Sequence, residues 1–224
     1  MQRVSISNKT KRFACTTEHY NDLYSRYLQN PAKLLEMAGY QPGQRLLDLC
    51  GGTGAISLAA LALGGDPSQV TLIDLKPRCQ DKKIRQLAGS ALSTLKQINN
   101  EGEMFDVAIC RQAFAYLHVE GKSGEELAQS IANLIQPGGF FIFNSFIRPR
   151  FHFKSYQFKG RRFIELAGYL RRRIFRLQIG LGVGYDFSIS KWHREERIFE
   201  IFNPYFNIET RWSENAVYWI CTRR

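Results

Sequence analysis

A chain of 224 residues that is 44% hydrophobic, 23% charged and 13% aromatic carries material for a core, and is neither disordered nor of low complexity. No run of about 18 apolar residues occurs, which excludes a membrane-spanning helix, and Met1 to Arg12 lacks the apolar middle of a signal peptide. Five scattered cysteines without a Cys-x-x-Cys pair argue against a zinc site and fit a reducing compartment, so a soluble, cytoplasmic protein without a metal is expected.

The net charge of +11 is concentrated. Ten basic side chains lie between Arg148 and Arg176, with Glu165 the lone acid, so this stretch carries +9 of the excess. Such a segment attracts nucleic acid, an acidic surface or an anionic small molecule, or serves only as a solvated face.

The chain divides into zones of a single domain, 1–224. In 1–44, Thr17 reads as a helix cap, and Tyr20, Tyr24 and Tyr27 share one face of the helix it opens. A second helix starts at Pro31, carries Leu34, Leu35 and Ala38, and ends at Gly39. Residues 45–147 alternate strand and helix. Arg45 to Leu49 is a short apolar strand, followed by Cys50-Gly51-Gly52-Thr53-Gly54 and a small-residue helix from Ala55 to Leu63. Val70 to Ile73 is the second strand, ending at Asp74. Ile84 to Leu87 is a weaker third and Phe105 to Cys110 the fourth. A helix from about Gly124 to Ile135 is stopped by Pro137-Gly138-Gly139, and Phe140 to Asn144 is the fifth strand. Nearly continuous apolar strands separated by helices imply a parallel sheet covered on both faces, hence a doubly wound α/β fold.

The third zone begins with the basic stretch, an insertion at 148–190. Arg161 to Gly180 can be read as two strands, and Phe163, Leu166, Leu170 and Leu177 also fit a helix. A helix from Trp192 to Phe202 follows. The segments Phe206 to Arg211 and Ala216 to Thr222, joined by Ser213-Glu214-Asn215, form an antiparallel hairpin in the closing zone, 191–224.

Leu47-Asp48-Leu49-Cys50-Gly51-Gly52-Thr53-Gly54 is the strongest signal. Gly52 and Gly54 allow a sharp turn and a close backbone approach to a ligand, and the loop opens a helix whose free N–H groups can receive its polar end. Asp74, 20 residues beyond Gly54 and ending the next strand, can accept both hydroxyls of a ribose. The pair reads as a binder of an adenosine-type cofactor. A dinucleotide fingerprint would need glycine or alanine where Ser57 stands, and Asp48 suits the ammonium of a methionine moiety better than a pyrophosphate.

On these residues the sequence resembles the class I S-adenosylmethionine-dependent methyltransferases, well over about 17–147 and more loosely beyond. Their first motif, acidic-x-Gly-x-Gly-x-Gly, stands here as Asp48, Cys50, Gly52 and Gly54, with Cys50 at the first glycine. The resemblance implies a Rossmann-like seven-stranded sheet with a C-terminal antiparallel hairpin and a β-cap insertion after strand five. It implies S-adenosylmethionine as cofactor and S-adenosylhomocysteine as product. Asp48, Cys50, Gly51, Gly52 and Gly54 would hold the methionine part, Asp74 the ribose with Leu75 beside it, and Ser90 and Ala91 the adenine. An aspartate is commoner where Ser90 stands, and the short stretch from Asp74 to Ser90 implies a truncated helix. Phe105-Asp106 through Tyr116-Leu117 resembles the motif facing the reacting methyl, and Gln136 to Phe140 the turn into strand five.

Methyl transfer from a sulfonium is an in-line displacement, so the protein chiefly supplies alignment and exclusion of water. A base is required only where the acceptor must lose a proton, and His118 is the candidate, with a solvated position at a helix start as its alternative. Tyr20, Tyr24 and Tyr27 are candidates for a lid over the cofactor, with Tyr24 also towards the acceptor, or for plain packing of an amphipathic helix. Arg111 and Gln112 leave strand four towards the cleft, to bind cofactor and acceptor or to pair with neighbours. Tyr116, His152, Tyr156, Tyr185 and His193 would line the acceptor pocket under the cap. The expected activity is methyl transfer to a nitrogen or oxygen of a small-molecule acceptor, one able to carry an anionic group. An RNA acceptor using the basic stretch and its aromatics is the alternative, nucleic acid not being favoured. A non-catalytic cofactor-binding scaffold is the third. No membrane partner is expected, and a homodimer stays open.

Overall fold

Pro31 fixes the backbone at the first turn of helix α1, Pro31–Met37, whose Leu34 and Leu35 are buried. In the computed structural model, residues 31–111, 113–114, 117, 121–146, 195–212 and 216–224 are described. After α1 come β1 (Leu46–Leu49), α2 (Ala55–Ala62), a 3₁₀ turn (Pro67–Gln69), β2 (Val70–Asp74), β3 (Arg85–Ala88), α3 (Ala91–Asn100) and β4 (Phe105–Cys110). The remaining elements are α4 (Lys122–Leu134), β5 (Ile135–Phe146), α5 (Glu195–Phe202), β6 (Phe206–Trp212) and β7 (Ala216–Arg223).

The strands form a seven-stranded sheet in the order β3-β2-β1-β4-β5-β7-β6. The first five are parallel, and β7 runs antiparallel between β5 and β6. The order reverses beside β1, so the C-terminal ends of β1 and β4 flank the switch point where such sheets bind ligands. All four β1 residues are buried, as a strand covered on both faces requires. Leu46 packs with Leu34, Leu35, Ile56 and Ala60 of α1 and α2, whereas Leu47 and Leu49 pack with side chains of α3, α4 and α5. The doubly wound fold and the closing hairpin agree with the sequence expectation.

Two local expectations are corrected, and one helix is added. Between β2 and β3 the truncated helix is absent. Residues 75–84 form turns instead, interrupted by Pro77 and held by the Gln86 side chain. That amide donates to the carbonyls of Cys79 and Asp81 at 3.1 Å each and accepts from the Cys79 N–H at 3.2 Å. Helix α3 has no counterpart in the sequence reading. It begins at Ser90, whose hydroxyl caps Ser93 N–H, and buries Thr94, Leu95 and Ile98. Finally, α4 ends at Leu134 rather than being stopped by Pro137-Gly138-Gly139. Ile135 already pairs with Phe105, and the ladder resumes at Val107 and Phe140 after a register shift. The tyrosine-bearing helix, the 148–190 insertion and the start of the closing helix at Trp192 lie outside the described residues.

The register shift makes adjacent glycines unequal. A Cβ at Gly139 would lie 2.6 Å from the Asp106 carbonyl and 3.0 Å from that of Gln136, both backbone atoms. Gly138 has φ +78° with open space around it. Gly139→Ala is therefore expected to cost about 3 kcal/mol, the upper end for overpacking, and Gly138→Ala about 1 kcal/mol from backbone conformation alone. Urea denaturation of the two variants checks the ranking.

Candidate functional site

Asp48 sits inside β1, one residue before its end, with no exposed surface. Its Oδ2 accepts from the Ser57 N–H at 3.1 Å and the Ser57 hydroxyl at 2.7 Å, while Oδ1 is buried and has no hydrogen-bond partner. Burial dominates its ionisation and pushes its pKa up to about 6. The Ser57 bonds and the field of Arg111 work the other way, and Asp74 adds to the rise. The loop passes directly over this carboxyl. A Cβ at Gly51 would fall 2.5 Å from the Asp48 carboxyl carbon, so only glycine fits.

Beyond Gly51 the backbone turns through left-handed conformations at Gly52, φ +56°, and Gly54, φ +77°. Gly51 N–H donates to the Ile73 carbonyl at 3.1 Å and Gly54 N–H to that of Gly51 at 2.8 Å, tying the loop to β2 and to itself. Gly54 packs tightly, because a Cβ there would lie 2.7 Å from the Cys79 sulfur. Gly52 is different. The nearest atom to its missing Cβ is Asp74 Oδ2 at 3.9 Å, so the loop presents bare backbone to open space. Cys50, at the motif's first glycine position, also has positive φ, at 59°.

Asp74 ends β2 half-buried. Its Oδ2 accepts from Gly52 N–H at 3.0 Å and its Oδ1 from Lys76 N–H at 2.8 Å. Each oxygen keeps further acceptor capacity, enough for two hydroxyls. Leu75 follows it, 43% exposed. Asp74 is level with Ala88 of β3, so Ser90 and Ala91 stand one strand further along the same sheet end. The Ser90 hydroxyl is exposed and lies 2.6 Å from that of Ser93. Bare backbone between two carboxylates, one half-exposed and one with an unpartnered buried oxygen, fits an adenosine carrying a cationic tail.

The structure thus brings together Asp48, Cys50, Gly51, Gly52, Gly54, Asp74 and Leu75 at the ends of β1 and β2, with Ser90 and Ala91 beyond β3. Arg111, half-buried after β4, is close enough to bear on Asp48. Tyr20, Tyr24, Gln112, Tyr116, His118, His152, Tyr156, Tyr185 and His193 lie outside the described residues. Sequence reasoning missed Ser57 as the partner of Asp48, having weighed it only as a departure from a dinucleotide motif. It also missed Cys79 and Gln86, which hold the crossover against the loop. No spacing rule marks any of them. Among the described residues no group of three His, Cys, Asp or Glu side chains could hold a metal, and no helix is long and apolar enough to cross a membrane.

The buried carboxyl has a measurable sign. Its folded-state value lies above the ordinary 3.8, so the charged form opposes folding. Stability from the neutral form is complete below pH 3.8 and is lost as pH rises through about 6. Asp48→Asn removes that loss and is expected to stabilise the fold at pH 8 by up to about 3 kcal/mol. The gain should vanish at pH 4, as urea midpoints at the two pH values will show.

Comparison with known proteins gives a match to the family model described as a methyltransferase domain over residues 18–196. The ubiquinone/menaquinone biosynthesis C-methyltransferase UbiE of Shewanella sediminis is 28% identical over 124 residues, 52% of this chain and 48% of that protein. The chain spans about half the length of the curated relatives it matches. A TehB-like SAM-dependent methyltransferase from Corynebacterium glutamicum shares the fold with TM-score 0.60 at 13% identity, covering 97% of this chain and 100% of that one. Phosphoethanolamine N-methyltransferase 2 of Haemonchus contortus, solved with S-adenosyl-L-methionine, gives TM-score 0.60 at 14% identity, covering 98% and 60%. With the family model matching well over half of its length, this chain belongs to the methyltransferase domain family and has the class I fold of the S-adenosylmethionine-dependent methyltransferases.

Proposed function

We propose that the chain binds S-adenosylmethionine across the C-terminal ends of β1, β2 and β3 and transfers its methyl group to a nitrogen or oxygen of a small-molecule acceptor. The observation that carries the reading is the open backbone at Gly52, set between the buried Asp48 and the half-exposed Asp74. The cofactor supplies a methyl group already activated on a sulfonium. Asp74 accepts the ribose hydroxyls, Leu75 and Ala91 offer apolar surface to the base, and Ser90 offers a hydroxyl that both donates and accepts. Asp48 balances the ammonium end of the ligand through its field, while Ser57 fixes the carboxylate plane.

The residues after β4 face the acceptor in this reading. Arg111 stands at their start, Gln112 and Tyr116 shape the acceptor side, and His118 takes a proton where the acceptor must lose one. Tyr20 and Tyr24 are the proposed lid residues of 1–44, and His152, Tyr156, Tyr185 and His193 the proposed acceptor residues of the 148–190 insertion and the helix after it. A single domain of 1–224 with these zones, working in the cytoplasm, is part of the proposal. A carbon acceptor is the second reading, favoured because the matched relative from Shewanella sediminis is a C-methyltransferase.

Calorimetric titration with S-adenosylhomocysteine, repeated with NADH, tests the reading. Binding of the former alone is expected, and binding of neither or of NADH alone would overturn it. Asp74→Ala is expected to weaken S-adenosylhomocysteine at least about tenfold, the worth of one charge-assisted hydrogen bond. Gly52→Val should abolish binding while retaining a cooperative unfolding transition.

A further inference from the structure

Two thiols meet beneath the cofactor loop. β1 and β4 are hydrogen-bonded neighbours with Asp48 level with Ile109, so Cys110 ends β4 beside Leu49 and next to the point where the chain turns away at Cys50. Cys50 is close enough to bear on the Cys110 thiol, and both pack into the same apolar cluster. Cys50 stands one residue beyond the position level with Cys110, a diagonal of about 5.8 Å by strand spacing and rise, inside the span of about 4.4 to 6.8 Å that a disulfide bridges between Cα atoms. Both cysteines are free here. Their accessibility differs, Cys50 being half-buried and Cys110 without exposed surface.

We propose that Cys50 and Cys110 form an oxidisable pair, and that their disulfide shuts off cofactor binding by pulling the glycine loop onto β4. The second half of this statement rests on the cofactor reading above. The oxidant is a hydroperoxide. The more accessible Cys50 sulfur attacks its outer oxygen, the O–O bond breaks, an alcohol or water leaves, and Cys50 becomes a sulfenic acid. The Cys110 sulfur then attacks the Cys50 sulfur, the S–O bond breaks, and the hydroxyl leaves as water with the Cys110 proton. Two thiols are oxidised by two electrons and one peroxide is reduced. Burial holds the Cys110 thiol protonated well above its ordinary range, so its attack is the slow step and its proton must leave as the S–S bond forms.

An S–S bond of about 2.05 Å is far shorter than any non-bonded sulfur contact, so closure must move one partner. Cys110 is fixed in the sheet between β1 and β5. The movement therefore falls on Cys50, which already has positive φ, and on Gly51 and Gly52 next to it. Gly51 has no room to yield towards Asp48. The displaced segment is the one that presents bare backbone to the ligand.

The test treats the full chain with hydrogen peroxide, maps peptides without reduction, and titrates S-adenosylhomocysteine before treatment, after it, and after dithiothreitol. Expected are a cross-linked peptide pair containing Cys50 and Cys110 and an affinity loss of at least about tenfold, reversed by the thiol. Cys110→Ala should bind like the parent and ignore peroxide. Should that variant melt early, Cys110→Ser takes its place. Oxidation of Cys50 without the cross-link overturns the pair, and a cross-link that leaves affinity unchanged overturns the switch. If the reduced parent does not bind S-adenosylhomocysteine, the cofactor reading and the switch fail together, while the peptide map alone decides whether the pair is oxidisable.

Discussion

A carboxylate without exposed surface governs the architecture around the glycine loop. Asp48 cannot be left bare inside a sheet, because an unpaired buried charge costs several kcal/mol. Two donors from Ser57, in the first turn of α2, meet one oxygen. The start of α2 is thereby placed against the end of β1, where its free N–H groups and dipole favour negative charge. Gly51 must be glycine for the chain to clear the carboxyl, and Gly52 is then drawn to the second carboxylate, Asp74. The loop is thus suspended between two acids on neighbouring strands, and its shape follows from them as much as from its own glycines.

The rest of the molecule keeps those strand ends in place through apolar packing. Phe114, just past β4, stacks on Phe143 of β5 at 3.8 Å, and Phe143 stacks on Trp219 of β7 at 5.7 Å. This column joins the ligand end of β4 to the closing hairpin. At the opposite end of the sheet Arg45 and Arg85 pair with Glu103, and Arg85 also with Glu101. Both arginines are more than a third exposed, so these pairs add little stability and chiefly set the register of β1, β3 and β4 where the chain enters them.

What the sequence showed and what it concealed divide along physical lines. The glycine loop, Asp74 and the core strands were legible because each leaves a local signature: conformational freedom, a carboxylate at a strand end, a continuous apolar run. Ser57 was not, since its role comes from the return of a helix onto a strand nine positions earlier. The crossover at 75–84 was read as a short helix because homologous folds place one there. Pro77 and the Gln86 amide, which satisfies three backbone groups, give it another stable solution. Helix α3 was missed even though Ser90 caps it and Leu95 and Ile98 stand three apart, because the same segment had been read only for adenine recognition. The residues proposed for the acceptor lie in segments outside the described structure.

The pattern of burial along the sheet bears on how a ligand would leave. β1 is buried throughout, whereas β3, at the sheet's edge, has three half-buried residues and an exposed one. Local opening costs least where few apolar contacts must be broken, so it costs least at β3. If Asp48 and Ser90 hold the two ends of the ligand as proposed, those ends lie on a gradient, firm under Asp48 and loose beside Ser90. Departure of an adenosyl ligand would start from its base and end with its amino-acid tail, and the slow step of release would belong to the half of the molecule held over β1.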